Sequence, residues 1–223
     1  MMKQLFVRAI LKFISGLLVV GLLIFVPAGT LRFPNGWLLI GFLFIPMFFA
    51  GIIMMFSRPD LLQKRLNAGE EQNEQKQVIL FSGLIFIVSF ILAGLNFRFG
   101  WLFLQAPFTA AASVIFLLSW LLYGEVLREN VWLSRTIEVQ ENQQVIDSGL
   151  YGIVRHPMYT ATVFLFLSMP IVLGSPLSFA VMLLYLPIIV KRIRNEEFVL
   201  VKGLKGYKEY MTRVKYRLIP GLW

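Results

Sequence analysis

The sequence contains no cysteine and a single histidine, His156. The absence of cysteine excludes disulfides, thiolate metal ligands and a cysteine nucleophile. With only one histidine as well, we expect neither a zinc nor an iron centre. Charged residues are also scarce, at 15% against 58% hydrophobic residues. Soluble proteins do not have this balance, and we therefore predict an integral membrane protein.

Long uncharged runs account for this composition. Pro157–Val190 would be about 51 Å long as one helix, at about 1.5 Å per residue, which is too long for a single crossing. We therefore predict a helical hairpin that breaks at Gly174-Ser175-Pro176. Four earlier runs of 19 to 26 residues are each long enough for a helix across a hydrocarbon core; they are Phe13–Leu31, Phe33–Ser57, Gln77–Phe97 and Phe99–Gly124.

These runs predict an all-α fold: a polytopic membrane protein with four transmembrane helices plus a C-terminal transmembrane helical hairpin. Residues 1–223 are expected to form a single integral membrane domain, with the N-terminal transmembrane helices in 1–135 and a loop, the helical hairpin and the tail in 136–223. Pro27-Ala28-Gly29 has the small residues of a signal-peptidase site. We expect the first span to be retained, because the spans that follow make it an equally natural part of the bundle.

The net charge of +9 does not indicate a nucleic-acid partner, because the basic residues lie at the ends of the apolar runs. Nineteen of the 21 Lys and Arg residues fall on one side of the predicted topology, and only Arg32 and Arg98 fall on the other. Short basic connections face the cytoplasm. Both termini are therefore predicted to be cytoplasmic.

Two polar clusters flank the hairpin, at 147–159 and 192–197. Taken singly, Arg192 and Glu196 have the spacing of an intrahelical ion pair, and a lone interfacial His156 is more often structural than catalytic. Folding the hairpin brings both clusters to one cytoplasmic mouth. Ionisable groups gathered at a membrane boundary are costly and indicate a functional site.

Two further segments are assigned by their composition. The connection 58–76 mixes charges of both signs and is predicted to be a surface helix and a turn near Gly69, solvated and without chemistry. The tail from Glu196 to Tyr210 has a partial apolar stripe and is predicted to be one helix along the cytoplasmic interface.

Residues 136–223 resemble the C-terminal half of the isoprenylcysteine carboxyl methyltransferase family and its relatives among phospholipid methyltransferases. The interval from Glu197 to Tyr207 is one residue shorter than is usual in the family, and Lys205-Gly206 replaces an acidic pair. The matching motifs are Val139-Gln140, Ser148-Gly149-Leu150-Tyr151, Arg155-His156-Pro157-Met158-Tyr159, Glu196-Glu197 with Leu200, Tyr207 with Tyr210, and Pro220.

The resemblance implies a methyltransferase that uses S-adenosyl-L-methionine, with a cytoplasmic cofactor pocket and Arg192 facing the methyl acceptor. By their chemistry, Glu196 suits the cofactor's ammonium group, and Arg155 or His156 suits its carboxylate. The expected cofactor-binding residues are Gln140, Gln143, Gln144, Val145, Ile146, Tyr151, Arg155, His156, Pro157, Met158, Tyr159 and Glu196. Among these, Val145, Ile146 and Tyr159 are expected to flank the adenine.

The expected catalytic residues are Arg192, Glu196 and Glu197. The favoured acceptor is a lipophilic carboxylate of the prenylcysteine type, which needs no general base. An amine of a phospholipid or a small thiol would have to lose a proton, with Glu196, Glu197 or His156 as the base. The remaining alternatives are a non-enzymatic membrane transporter or binding protein, and a family member without activity. The partners expected besides the acceptor are membrane lipids.

Overall fold

The computed structural model describes residues 2–66, 73–134 and 136–223, and within these ranges it contains helices and no strands. The predicted all-α fold is confirmed. The four long helices are α1 (Met2–Ala28), α2 (Pro34–Ser57), α4 (Asn73–Phe99) and α5 (Ala106–Glu129), and a short helix α3 (Pro59–Leu66) follows α2. Each long helix is long and apolar enough to cross a membrane.

The C-terminal hairpin breaks where its sequence predicts. Helix α6 (Pro157–Val172) is followed by Gly174, whose φ of +75° is accessible to glycine at little cost. Ser175 then caps α7 (Pro176–Met182) by accepting a hydrogen bond from the main-chain N–H of Ser178. A short turn leads into α8 (Tyr185–Gly203), and α7 with α8 provides a fifth stretch long enough to span a membrane.

The helices pack through apolar and small residues. A central cluster joins α1, α2, α4, α5 and α6 and includes the fully buried Leu39, Phe116 and Val172. Gly94 of α4 lies against the main chain of α1, where an added Cβ would come within 2.5 Å of the Ile24 carbonyl oxygen. Such close backbone approach at a small residue is typical of helix pairs in membranes.

The predicted single helix over the tail is wrong. Helix α8 ends at Gly203, and α9 (Tyr207–Arg213) begins after Gly206, which has a φ of +86°. The left-handed glycine turns the chain so that Tyr207 and Tyr210 pack into a separate buried cluster with Leu204 and Val214. Part of the predicted surface connection is helix α3, and the expected turn at Gly69 lies outside the described residues.

Candidate active site

An open pocket of about 840 Å³, including its mouth, lies where α6 begins and α8 and α9 approach the segment after α5. The structure thus brings both polar clusters to one cavity. The residues predicted from the sequence that line it are Gln143, Gln144, Val145, Ile146, Tyr151, Arg155, His156, Met158, Tyr159, Arg192 and Glu196.

Three expected site residues, Gln140, Pro157 and Glu197, do not line the pocket. Pro157 is fully buried at the first position of α6, where its missing N–H costs no hydrogen bond. The amide oxygen of Gln140 accepts from Lys64 Nζ at 2.5 Å, and its amide nitrogen donates to the Trp132 carbonyl oxygen at 2.6 Å. Gln140 therefore ties the pocket wall to α3.

Glu197 lies behind the pocket wall, 5% exposed, in a cluster of basic groups. Its carboxylate accepts from Arg155 Nε at 2.7 Å and from Arg217 Nε at 2.8 Å, and it lies 3.3 Å from Nε2 of His156. A buried carboxylate is tolerated when its charge is paired in this way. The arrangement fixes α8 to both the start of α6 and the C-terminal segment.

The same C-terminal segment is bonded to the entry of α6 through the main chain. The N–H groups of Arg155 and His156 donate to the carbonyl oxygens of Tyr216 and Arg217, each at 2.9 Å. The guanidinium of Arg155 also donates to the carbonyl oxygens of Val214 and Lys215. Arg155 and His156 therefore have structural partners as well as a place in the pocket lining.

Tyr159 links the acceptor-side and cofactor-side residues that the sequence predicts. Its hydroxyl donates to Oε2 of Glu196 at 2.5 Å and accepts from Nε of Arg192 at 2.9 Å. The expected relation between Arg192 and Glu196 on one face of α8 thus includes a phenol supplied by α6. Tyr159 is 5% exposed, so the bridge is a largely buried part of the pocket wall.

Gln75 is a site-adjacent residue that the sequence reasoning missed. Its amide oxygen accepts from Nη1 of Arg192 at 3.0 Å, and its side chain is fully buried in α4. The expectation that 58–76 is solvated is therefore wrong at this position. One sequence signal could have indicated its burial. Gln75 lies one helical turn before the apolar Val78, and the structure shows both side chains buried on the same face of α4.

A turn of 3₁₀ helix, Gly149–Gly152, positions Tyr151 in the pocket wall. The Glu129 carboxylate at the end of α5 accepts from the main-chain N–H of Leu150 at 3.0 Å. Gly149 has a φ of +55°, and any Cβ there would overlap the Glu129 carboxylate. The backbone conformation at this position therefore favours glycine, and a larger residue would also have to displace the Glu129 carboxylate.

Three buried phenols complete the pocket wall. Burial raises the pKa of Tyr151, Tyr207 and Tyr210 above the ordinary value of a tyrosine, so all three remain neutral at physiological pH. Tyr151 accepts from the Asn130 amide at 2.9 Å. The Tyr207 hydroxyl has no hydrogen-bond partner within the part of the chain that the structure describes. An unpaired buried donor in a pocket wall is suited to a ligand's acceptor atom.

Comparison with known proteins agrees with the motif resemblance. The sequence model of the isoprenylcysteine carboxyl methyltransferase (ICMT) family matches residues 110–202. The solved structure of the eukaryotic intramembrane Ras methyltransferase ICMT superposes with a TM-score of 0.55 at 18% sequence identity, covering 94% of this chain and 74% of that one. At this identity the superposition establishes the fold.

A second comparison gives a different enzyme. The Delta(14)-sterol reductase TM7SF2 of Mus musculus is 35% identical over 88 residues, which are 38% of this chain. The matched part is about a fifth (21%) of the reductase's length. Parts of this chain therefore have sequence similarity to proteins with two different names and activities.

Proposed function

We propose that this chain, whose residues 110–202 match the isoprenylcysteine carboxyl methyltransferase family, is a membrane methyltransferase that uses S-adenosyl-L-methionine and methylates a lipophilic carboxylate of the prenylcysteine type. The observation that carries the proposal is the bridge through Tyr159. It holds a cation, Arg192, and a carboxylate, Glu196, side by side in one pocket at the end of the hairpin. A methyltransferase of this kind has to bind an anionic acceptor next to a cationic cofactor.

The residues of the pocket fit the proposed cofactor. S-adenosyl-L-methionine has an ammonium group, a carboxylate, a sulfonium and a flat adenine. Glu196 would take the ammonium, and Val145 with Ile146 would supply the apolar contact for adenine. The unpaired hydroxyl of Tyr207 would donate to one of the cofactor's oxygen or nitrogen acceptors.

The chemistry requires alignment more than acid–base catalysis. When bound, S-adenosyl-L-methionine would supply an electrophilic methyl group to a carboxylate oxygen of the acceptor and leave as a neutral thioether, with no proton to be moved. Arg192 orients the acceptor carboxylate by charge-assisted hydrogen bonds. Tyr159 fixes Arg192 relative to Glu196, and hence the acceptor relative to the cofactor's amino-acid end.

In this proposal Glu197 serves as an anchor. Its carboxylate lies behind the pocket and is held there by its bonds to Arg155 and Arg217. A soluble cofactor would enter from the cytoplasm, and the apolar chain of the acceptor would enter laterally among the membrane helices. In this proposal both termini lie on the cytoplasmic side, which is the orientation that the distribution of Lys and Arg predicts.

Binding of S-adenosylhomocysteine to the purified protein in detergent tests the proposal. We expect saturable binding that Glu196→Gln weakens, whereas Glu209→Gln on the exposed surface of α9 leaves it unchanged. Transfer of a labelled methyl group is then compared for a prenylcysteine acid, an amino-headgroup phospholipid and a small thiol. Absence of saturable binding in the wild-type protein would refute the methyltransferase proposal.

Reduction of a lipophilic alkene is a second candidate, favoured by the 35% identity to the sterol reductase segment. Such a reaction needs a hydride donor, and a nicotinamide dinucleotide would bring two phosphates into a pocket that contains Glu196. We expect the methyltransferase cofactor to bind in preference. Tight binding of a reduced nicotinamide dinucleotide, with none of S-adenosylhomocysteine, would favour the reductase instead.

A further inference from the structure

Gln75 and Arg192 form a contact between α4 and α8, in which Arg192 lines the pocket and the buried Gln75 lies next to it, outside the lining. Arg192 donates through Nη1 to Oε1 of Gln75 at 3.0 Å. Gln75 is fully buried and lies outside the range matched by the family's sequence model. Nothing in the family resemblance therefore assigns a role to it.

The orientation of the Gln75 amide is determined by its partner. A guanidinium only donates hydrogen bonds, so the amide atom that faces Arg192 has to be the oxygen. The amide nitrogen then lies no more than about 5 Å from Nη1, because bond lengths separate the two polar atoms of an amide by only about 2 Å. This nitrogen is buried and has no hydrogen-bond partner among the residues that the structure describes.

If Gln75 had only a structural role, its oxygen would accept from Arg192 and its amide nitrogen would have no function. Two buried N–H bonds without an acceptor carry the full cost of their desolvation, which a native structure rarely accepts without a reason. A ligand acceptor atom next to Arg192 would remove that cost. A carboxylate suits the position, because its two oxygens accept from two neighbouring donors, whereas an ammonium group would face a cation and N–H donors.

We propose that Gln75 is a residue of the acceptor site: its oxygen orients Arg192, and its amide nitrogen donates to the acceptor's carboxylate. This assignment rests on the proposed function and deepens it. It extends the site from the hairpin to the N-terminal half of the chain, where α4 contributes a polar contact to the acceptor.

The test uses two substitutions at Gln75 and the same two at Gln77, which is exposed on the same helix. Gln75→Glu keeps the oxygen that faces Arg192 but replaces the donor with a negative oxygen, and Gln75→Ala removes both groups. The probe is the acid N-acetyl-S-farnesylcysteine. Its equilibrium binding is measured on protein in detergent that is saturated with S-adenosylhomocysteine, and its KM and kcat are measured separately.

We expect Gln75→Glu to weaken binding of the acid by about tenfold or more, since it removes a hydrogen bond to a charged group and adds repulsion. The affinity for S-adenosylhomocysteine should stay within about twofold, which also reports that each variant is folded. The change should appear in KM more than in kcat. Gln77→Glu and Gln77→Ala should match the wild-type protein in all three measurements.

The outcomes separate this inference from the proposed function. Wild-type affinity of Gln75→Glu for the acid would overturn the donor role, and Gln75→Ala then shows whether the oxygen matters. Wild-type protein that binds S-adenosylhomocysteine but not the farnesylated acid would overturn the carboxylate acceptor and with it the role of Gln75. Failure to bind S-adenosylhomocysteine would refute the proposed function itself.

Discussion

Tyr210 donates its phenolic hydrogen to the main-chain oxygen of Tyr151 at 2.7 Å, and this bond joins the last helix to the pocket wall. Both residues are buried, so water does not replace the bond when it is broken. The 3₁₀ turn that presents Tyr151 is therefore held from two sides, by Glu129 at the end of α5 and by Tyr210 of α9.

Tyr210→Phe is expected to lower stability by about 1 kcal/mol, because it leaves the Tyr151 carbonyl buried without this partner. The measurement is the thermal unfolding temperature of the protein in detergent. Tyr216→Phe, at a position that is 40% exposed, serves as the control and should leave that temperature unchanged. Equal unfolding temperatures for the two variants would contradict the structural role of the Tyr210 hydroxyl.

Tyr207→Phe should affect ligand affinity rather than stability. Its hydroxyl is buried without a partner, so its removal should leave stability unchanged or raise it slightly. The affinity for S-adenosylhomocysteine should fall several-fold, by the loss of about 1 kcal/mol of hydrogen bonding. Calorimetric titration of this variant beside Tyr210→Phe checks both statements. Undiminished affinity in Tyr207→Phe would show that the hydroxyl does not contact the ligand.

Glu197→Gln is expected to destabilise the protein by about 3 kcal/mol or more, because it leaves the buried Arg155 without its compensating charge. Chemical unfolding in detergent measures the effect. Glu209→Gln makes the same chemical change on an exposed helix and should stay within about 0.5 kcal/mol of the wild type. If Glu197→Gln instead folds with normal stability and loses only turnover, Glu197 is a catalytic residue after all.

Alkaline pH should destabilise the protein through its buried phenols. Burial raises the pKa of Tyr151, Tyr207 and Tyr210 in the folded protein. In the unfolded chain the pKa of a tyrosine is about 10. The unfolded state thus binds fewer protons above that pH, and the stability present below it is lost as pH rises. Unfolding temperatures measured from pH 7 to 11 should fall less in Tyr207→Phe than in the wild type or Tyr216→Phe. Parallel curves would exclude a contribution from Tyr207.

The membrane helices and the hairpin were predictable because length and charge decide them. An uncharged run of the right length has few alternatives in a bilayer, and the 34 apolar residues of 157–190 exceed a single crossing. The glycine and proline at 174–176 then indicate where the hairpin turns. The hairpin in turn brings Arg155 and Arg192 to one pocket. Most of the candidate site could therefore be predicted from the length of the apolar run and the position of its break.

The remaining details depend on tertiary contacts that no local pattern contains. Gln75 and Arg192 are 117 residues apart, and the burial of Gln75 follows from the position of α4 against α8. Which of Glu196 and Glu197 faces the pocket was equally undetermined, because both lie at the same depth of the hairpin. The break after Gly203 was missed because the apolar stripe of the tail continues through it.

The adjacent carboxylates of Glu196 and Glu197 point to different surroundings, one into the pocket and one into a basic cluster. Successive residues of an α-helix are separated by about 100° around its axis. The bonds of Glu197 to Arg155 and Arg217 therefore fix the rotation of α8 about its own axis. This orientation directs Arg192 and Glu196 into the pocket. Rotation of the helix by the angle between successive residues would turn both side chains away from it.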